Sequence, residues 1–365
     1  MKQQVNPFTP SFGEIPAHLA GRKQIINATT AALKFSYRAP ELTSLFAGAR
    51  GTGKTALLSY FAQKAEGLGW VSVSTTAMPG MLDDIEILSQ QKASHLLDNS
   101  KHRKIQSVEI SGVGGVSFAN NAEKKTNWRS RMNAILDELA KTETGLLITV
   151  DEINPSLDEL VLLSATYQHF LREGRKVSLM MAGLPANIFG LVTNKTVSFL
   201  RRSQMQQLKR ISDFEIEETL RRTITENGRT ANSSGIAIAV QAIAGFPFLL
   251  QLVGYRSWNV NENSTEISKE DFEIGIELAK QEMKTRILES TIRELSESDK
   301  RFLYAMLQDE NETTAADLKQ RLKWSSSQIA QYRKRLIDAG VIGSRGRGVV
   351  GFDMPYFREF LNEQM

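Results

Sequence analysis

The sequence predicts an α/β fold in which a parallel β-sheet covered by helices is followed by a helical domain and a small C-terminal domain. Short apolar runs alternate with helical patterns as far as residue 211, which is typical of strand–helix–strand units. From Ser212 the strand patterns stop, and after residue 295 three short helical patterns precede two strand patterns. A chain of 365 residues has room for three domains of common size, which we predict at 1–211, 212–295 and 296–365.

The strands of the sheet are predicted from four apolar segments, at residues 42–47, 70–74, 146–150 and 177–182. Helical or polar segments separate each of them from the next, and such alternation favours a parallel sheet with helices on its faces. Residues 99–125 interrupt the alternation. Two short strand patterns between basic turns predict a hairpin there, inserted on the surface of the domain.

Helical signals dominate the second predicted domain. Ser212 and Glu215 have the spacing of a capping box that opens a helix, and Gly228 is placed to close it. A long helical pattern then covers residues 269–295.

Composition restricts the class of protein. The hydrophobic fraction of 41% and the charged fraction of 24% are those of a globular protein in water. The absence of cysteine excludes disulfides, thiolate metal sites and cysteine nucleophiles, and is compatible with a reducing compartment. Gly245 and Pro247 divide the apolar stretch 235–255 into two packed helices, and the N-terminus has no apolar segment. We expect a cytoplasmic protein without membrane contact.

A glycine-rich loop links the first predicted strand to a helix. It satisfies the pattern G-x-x-x-x-G-K-[ST] with the residues Gly48, Ala49, Arg50, Gly51, Thr52, Gly53, Lys54 and Thr55. The glycines let backbone N–H groups turn inward around phosphate oxygens. Lys54 can then bridge the β- and γ-phosphates of a nucleotide, and the Thr55 hydroxyl can ligate Mg²⁺. The alternative, a glycine-rich turn that binds nothing, is disfavoured by the flanking strand and helix.

Two carboxylates, Asp151 and Glu152, directly follow the apolar strand at 146–150. In a nucleotide site Asp151 would hold Mg²⁺ through water, and Glu152 would orient and polarise the water that attacks the phosphate. Two acidic residues can also simply end a strand at the surface. Together with the loop, the pair predicts hydrolysis of a nucleoside triphosphate, with Glu152 and Lys54 as catalytic residues.

Three weaker motifs accompany these two: Gly21-Arg22 before the first strand, residues 180–185 at the fourth strand, and Gly245-Phe246-Pro247 in the helical domain. The set resembles AAA+ ATPases of the origin-recognition and STAND-like branch, over roughly residues 13–290. The resemblance implies ATP with Mg²⁺ as the ligand, Gly21 and Arg22 near the adenine, and Gly245 and Pro247 of a helical lid near the base and ribose. A turn and a helix-starting proline remain the alternative for the last two.

The resemblance also carries expectations about hydrolysis. An arginine finger in AAA+ proteins follows the fourth strand and its helix, where Arg201 and Arg202 stand. A finger acts on the nucleotide of a neighbouring subunit and implies a homo-oligomer, while a surface ion pair is the alternative. The strand at 70–74 is expected between the loop strand and the acidic strand. Ala182-Gly183 stand where a sensor Asn or Thr is usual, and no arginine follows Gly245 at the lid position, which suggests slow hydrolysis.

The C-terminal pattern predicts a winged helix. Helices at 301–307, 315–322 and 325–339, the last closed by Gly340, precede two strands joined by a basic glycine turn. A closing helix follows Pro355.

Basic residues concentrate in this domain, with eight Lys or Arg against one Asp between positions 319 and 347. We expect double-stranded DNA as the partner, contacted by the third helix and the wing. The predicted contact residues are Ser326, Ser327, Gln328, Gln331, Tyr332, Arg333, Arg335, Arg345 and Arg347. The alternative is a winged helix that packs on the ATPase or on a partner protein, with its basic residues as a solvated face.

The sequence as a whole predicts an ATP-dependent switch whose nucleotide state changes the presentation of a DNA-binding face. The competing hypothesis is an ATP-regulated signalling or scaffold protein whose winged helix binds protein. A third, a ring-forming remodelling ATPase, needs Arg201 or Arg202 as a working finger. The four histidines lack ligand spacing, so no metal besides Mg²⁺ is expected.

Overall fold

The computed structural model describes residues 5–11, 13–35, 38–98 and 127–364, so the predicted hairpin at 99–125 lies outside the described residues. The first part is an α/β core domain with the strands β1 (Thr43–Ala47), β2 (Val71–Thr76), β3 (Leu146–Asp151), β4 (Val177–Gly183) and β5 (Gln204–Gln207). Its helices are α1 (Lys23–Phe35), α2 (Lys54–Gly67), α3 (Met81–Asp98), α4 (Trp128–Ala140), α5 (Asp158–Arg172) and α6 (Pro185–Thr193). Short 3₁₀ segments occupy Pro40–Leu42 and Lys195–Arg202.

Both faces of the sheet are buried, which explains why the strands have continuous apolar sequences. Successive side chains along a strand point to opposite faces. In β3, Leu147 belongs to one buried apolar cluster and Ile148 to another, and in β1 the same division separates Phe46 from Leu45. The predicted parallel sheet covered by helices is therefore confirmed.

The strands lie in the order β2-β3-β4-β1-β5, and every pair is parallel. The strand between β1 and β3 is β4 and not β2, so the expectation for residues 70–74 is wrong. Parallel strands are joined by crossovers, so neighbours in the chain need not be neighbours in the sheet. The edge strand β5 has the polar sequence Gln-Met-Gln-Gln, which gives no apolar signal.

The helical region after β5, residues 213–293, is called the lid below. It contains α7 (Asp213–Glu226), α8 (Ser233–Ile243), α9 (Pro247–Val260), α10 (Lys269–Met283) and α11 (Glu289–Arg293), with a π-helical turn at Lys284–Leu288. The predicted capping box is confirmed, since Ser212 and Glu215 bond each other's backbone N–H groups. Two short strands, β6 (Thr230–Ala231) and β7 (Glu266–Ile267), pair within this otherwise helical region. Throughout the described ranges, no helix combines the length and apolar character needed to cross a bilayer.

The C-terminal domain contains α12 (Glu297–Met306), α13 (Ala315–Leu322), α14 (Ser326–Asp338) and α15 (Phe357–Glu363). Its antiparallel sheet has the order β8-β10-β9, with β8 (Glu312–Thr314), β9 (Ile342–Gly346) and β10 (Val349–Phe352). The first helix begins earlier than the predicted 301–307 because Ser296 and Asp299 form a capping box. One continuous buried cluster joins this domain to the lid and includes Met283 and Phe302.

Candidate nucleotide site

The phosphate loop, residues 48–55, leads from the end of β1 into the first turn of α2. Gly51 and Gly53 have φ angles of 77° and 83°, a left-handed conformation that glycine adopts without steric cost. Gly53 is the N-cap of α2, and its carbonyl accepts a hydrogen bond from the Leu57 N–H at 3.0 Å. The first N–H groups of a helix lack intrahelical acceptors, so this loop offers them to an anion.

Lys54 is buried beneath the loop and bonded to it. Only 6% of the residue is exposed, and its Nζ donates to the carbonyl oxygens of Gly48 and Ala49 at 3.2 and 3.1 Å. Burial lowers the pKa of Lys54, while the charges of Glu152 and Asp151 partly oppose that shift. The lysine therefore has an energetic reason to exchange two neutral carbonyls for a phosphate anion.

Thr55 and the two carboxylates meet where α2 faces the end of β3. Thr55 Oγ1 donates to Asp151 Oδ2 at 2.5 Å, and Asp151 Oδ1 accepts from the Glu152 N–H at 2.8 Å. Glu152 has a φ of 49°, which is uncommon for a residue with a side chain. Such backbone strain costs on the order of 1–3 kcal/mol and clusters at functional sites.

The oxygen atoms at this point suit Mg²⁺. Proteins usually hold Mg²⁺ through one or two carboxylates, with phosphate and water oxygens completing its octahedral set. Thr55 and Asp151 supply a hydroxyl and a carboxylate within hydrogen-bond distance of each other. No group of three His, Asp or Glu residues in the described ranges could hold a metal ion by itself. The arrangement thus fits an ion that binds together with a nucleotide.

A cavity of about 420 Å³ adjoins the loop. Of the predicted site residues, those that line it are Arg22, Arg50, Gly51, Thr52, Gly53, Lys54, Thr55, Glu152 and Pro247. Predicted residues outside its lining are Gly21, Gly48, Ala49, Asp151 and Gly245. The loop, the catalytic-base candidate and the lid therefore converge on one space large enough for a small ligand.

One wall of the cavity comes from an N-terminal segment that the sequence did not single out. We name residues 5–11 and 13–20 the strap; its cavity-lining members are Thr9, Pro10, Ser11, Gly13, Glu14, Pro16, His18, Leu19 and Ala20. Phe8 fixes the strap to the lid, because it is 2% exposed and its ring lies against Gly254 of α9. The Thr9 N–H also donates to Gln251 Oε1 at 3.0 Å.

Arg22 forms a hydrogen bond with the phosphate loop on this side of the cavity. Its guanidinium donates to the carbonyl of Thr52 at 3.3 Å and to that of Lys209 at 3.0 Å, and the residue is 8% exposed. Burial lowers its pKa, with the charge of Glu215 opposing. Arg22 therefore links the phosphate loop to the segment that leads into the lid.

Gly21 and Gly245 lie at that same junction and outside the cavity. Gly21 packs on the Ile211 side chain, and the Gly245 carbonyl accepts from the Ile211 N–H at 2.8 Å. Gly245 also has a φ of 82°. A Cβ atom on Gly245 would lie 2.7 Å from the Arg210 Cβ, so a side chain at position 245 would collide with Arg210. The two glycines thus pack against residues 210 and 211, which connect the core to the lid, and their predicted contact with the nucleotide stays a prediction.

The lid reaches the phosphate loop directly. Pro247 starts α9, as the helix-N1 alternative predicts, and also lines the cavity. The next N–H, that of Phe248, donates to the Gly51 carbonyl at 3.2 Å. Although no arginine follows Gly245 at the expected lid position, Arg286 lines the cavity from the π-helical turn. Sequence position alone did not reveal it, since the lid fold brings this turn back to the loop.

The fold was compared with solved structures. The Walker-type ATPase PABY2304 of Pyrococcus abyssi superposes with a TM-score of 0.67 at 16% identity, over 94% of this chain and 96% of that one. The Aeropyrum pernix ORC2 protein, solved as ADPNP–ADP complexes, gives 0.63 at 13% identity, over 97% and 96%. Cdc6p from Pyrobaculum aerophilum gives 0.50 at 14% identity, over 97% of each chain. This chain has the fold of the AAA+ P-loop ATPases.

Sequence comparisons add less. Residues 285–361 match a family model described as a domain of unknown function (DUF8462). Among curated proteins none is similar enough in sequence to count as a match. Because the solved structures are only 13–16% identical to this chain, the similarity to them shows the AAA+ fold alone.

The two arginine-finger candidates lie away from the protein's own cavity. Arg201 Nε donates to the Val192 carbonyl at 3.0 Å, which holds its side chain against α6. Arg202 is exposed in the same 3₁₀ segment. Neither lines the cavity of its own chain, so a role at a neighbouring subunit stays a prediction.

The predicted DNA-contact residues fall into two groups. Exposed side chains are Ser326, Ser327, Gln328, Gln331, Arg335, Arg345 and Arg347. Arg335 and Arg345 are nevertheless paired within the domain, with Asp299 at 3.0 Å and Asp353 at 2.7 Å. Arg333 donates to Ser344 Oγ at 2.9 Å. Tyr332 is half-buried with its ring 4.8 Å from that of Trp324, so it packs within the domain, and its predicted contact with DNA stays a prediction.

Proposed function

We propose that the protein binds ATP with Mg²⁺, hydrolyses it slowly and uses the nucleotide state to control DNA binding by its C-terminal domain. One observation carries the proposal: the phosphate loop, Glu152 and the lid line a single cavity at the carboxyl ends of the strands. Ligands of open α/β sheets bind at such strand ends. The nucleotide complexes of the Aeropyrum pernix ORC2 protein, which shares the fold, support an adenine nucleotide.

Each residue of the loop and the acidic pair has a chemical role in this proposal. The N–H groups of residues 51–55 and Lys54 hold the phosphates, and Thr55 with Asp151 holds Mg²⁺. The ion neutralises charge on the phosphate oxygens. Glu152 accepts a hydrogen bond from the attacking water and orients it, for which an exposed carboxylate at the rim is suited.

Slow turnover is part of the proposal. The end of β4 between β1 and β3 is Ala182-Gly183, so no polar side chain from that strand end orients the water. Arg201 and Arg202 would complete the site of a neighbouring subunit in a homo-oligomer and stabilise charge on the transferred phosphoryl group. A slow ATPase suits a switch better than a motor.

The C-terminal domain is proposed as a winged helix that binds duplex DNA. Support comes from its element order, in which α12 to α14 precede β9 and β10, and from the exposed N-terminal half of α14. Ser326, Gln328 and Gln331 there are short or amide side chains that can bond base edges or phosphates. Arg347 in the exposed β9–β10 turn would contact the phosphate backbone.

A protein partner is the second candidate, and the ion pairs favour it. Arg335, Arg345 and Arg333 have acceptors inside the C-terminal domain, which reduces the number of cations ready for phosphates. A scaffold would bind its partner through the same face with little dependence on salt.

Duplex DNA binding at two salt concentrations, with ATP, ADP or no nucleotide, tests the proposal. Intact protein, Lys54→Ala and Arg347→Ala are compared by fluorescence anisotropy. The proposal expects affinity that falls with salt, weakens in Arg347→Ala and responds to nucleotide only when Lys54 is present. If the protein binds no DNA in any nucleotide state, the proposal of DNA binding fails and the protein partner becomes the favoured candidate.

A further inference from the structure

The outer face of the phosphate loop is covered by the C-terminal domain. Gly340, which follows α14, approaches Ala49 so closely that a Cβ on Gly340 would lie 2.5 Å from the Ala49 Cβ and 3.0 Å from its Cα. Real side chains do not approach to 2.5 Å, so the contact depends on glycine. Gly340 and Ala49 are 291 positions apart in the chain, and neither residue lines the cavity.

A second contact involves the neighbouring residue of the phosphate loop. Arg50, the next residue of the loop, pairs with Glu294 at 2.8 Å, at the point where the lid leads into the C-terminal domain. The Arg50 and Glu294 side chains are 36% and 59% exposed, so this pair positions Arg50 more than it stabilises the fold. Two successive loop residues, Ala49 outside the cavity lining and Arg50 within it, are thus held by the C-terminal half of the chain.

Further contacts keep the domain in this place. Arg210, between core and lid, donates to the Asp353 carbonyl. Lys334 of α14 lies with its Nζ 5.4 Å from the centre of the Phe189 ring on α6. The docking therefore extends from the phosphate loop to the core helix α6.

Ala49 also participates in the inner bonding of the loop. Its carbonyl accepts from Lys54 Nζ at 3.1 Å and from Thr52 Oγ1 at 2.8 Å. Lys54 is the residue that a phosphate would draw away from these carbonyls. One peptide of the loop consequently connects the phosphate-binding lysine on its inner side with Gly340 on its outer side.

We infer that the C-terminal domain braces the phosphate loop, with Gly340 as a positioning residue that acts through Ala49. The brace holds the loop in the conformation that presents its N–H groups, and lifting the domain weakens nucleotide binding without removing a ligand contact. By linkage, a partner that binds the domain only when it is lifted from the loop lowers nucleotide affinity, and the nucleotide lowers the affinity for that partner by the same factor. The inference rests on the proposed nucleotide-binding function and adds its regulation.

Gly340 also closes α14 with a φ of 72°, so any substitution there strains the backbone. The chain offers a matched control for this effect. Gly348 in the same domain has a φ of 76°, and the nearest atom to its virtual Cβ is 3.9 Å away. Gly348→Ala therefore carries a similar backbone strain without any approach to the loop.

The test compares Gly340→Ala, Gly348→Ala and intact protein for binding of a fluorescent ATP analogue with Mg²⁺, and for hydrogen exchange of the peptide that contains residues 48–55. The brace predicts that Gly340→Ala raises the Kd about fivefold or more and speeds exchange in the loop. Gly348→Ala should change neither. Adding Ala49→Gly to Gly340→Ala should recover at least part of both losses, because it removes the atom 2.5 Å away.

Equal behaviour of the two glycine variants, or no recovery with Ala49→Gly, overturns the brace. If intact protein binds the analogue but no DNA, only the DNA part of the proposed function fails, and the brace is judged as above. If intact protein binds no analogue, the nucleotide proposal fails. Loop exchange in the four proteins then decides alone whether the C-terminal domain holds the loop.

Discussion

Removal of the Phe8 side chain should weaken nucleotide binding although Phe8 does not line the cavity. Phe8 is 2% exposed and lies against α9 at Gly254, where a Cβ would come within 2.4 Å of the ring. It anchors the strap, whose following residues form one wall of the cavity. In Phe8→Ala the strap loses this buried anchor, and polar attachments remain beside it, such as the bond from the Thr9 N–H to Gln251.

The size of the effect follows from burial. A buried Phe→Ala change costs about 3–5 kcal/mol, and each 1.4 kcal/mol is about a factor of ten in an equilibrium. The docked-to-undocked ratio of the strap should therefore fall by roughly 100-fold or more. We expect the change to leave the undocked strap in excess by about ten to one or more. Because apparent affinity falls with the competent fraction, the Kd should then rise by about tenfold or more. The rest of the fold should persist, because the strap lies at the edge of the lid.

The assay is a titration with a fluorescent ATP analogue, with melting curves measured in parallel. Gly254→Ala provides a second perturbation, since it expels the ring while raising the helix propensity of α9 by about 1 kcal/mol. Both variants should bind more weakly, and Phe35→Ala, whose side chain is 75% exposed, should not. Unchanged affinity in Phe8→Ala with intact folding would refute the role of the strap.

Three further perturbations have defined outcomes. Lys54→Ala should lower nucleotide affinity about 10- to 100-fold through loss of a charge-assisted bond to phosphate, and an unchanged Kd in the same titration would exclude that bond. Arg22→Gln removes the hydrogen bond to the Thr52 carbonyl and should speed hydrogen exchange of the loop. Unaltered exchange would contradict a role of Arg22 in holding the loop. Arg321 holds the pKa of Asp309 at about 2, below its ordinary 3.8, so this pair stabilises the fold above pH 3.8 and loses that effect as the pH falls toward 2. The melting temperatures of intact protein and Arg321→Met should converge over that range, and a constant difference would speak against the pair.

The core fold could be predicted because its signals are local. A continuous apolar strand such as β3 and a loop that requires Gly53 and Lys54 leave a pattern within a few residues. The order of the strands could not be obtained in this way, since it depends on crossovers, and β5 is held by pairing with β1 in spite of a polar sequence. Ser296 likewise starts α12 earlier because its bonds to Asp299 outweigh the polar composition of that segment.

The candidate site was predictable only where chemistry and spacing coincide. Asp151 and Glu152 follow β3 directly, so their position was evident, whereas the strap is a polar, proline-bearing segment without periodicity. Phe8 is a large apolar residue in this segment, but no periodic pattern around it marks it as buried. Arg286 and Gly340 reach the loop through tertiary packing of the lid and the C-terminal domain, and no local pattern encodes such contacts.

Phosphate release from ATP with Mg²⁺ by intact protein and by Glu152→Gln tests the central claim most directly. Glutamine keeps the size of the side chain but cannot act as a base, and loss of a general base typically costs about 100-fold or more in turnover. We predict slow release by intact protein and at least that reduction in Glu152→Gln, with the Kd for the ATP analogue unchanged. Equal release by the two proteins, or none by intact protein that binds the analogue, would contradict the assignment of an ATPase site to the phosphate loop and the acidic pair.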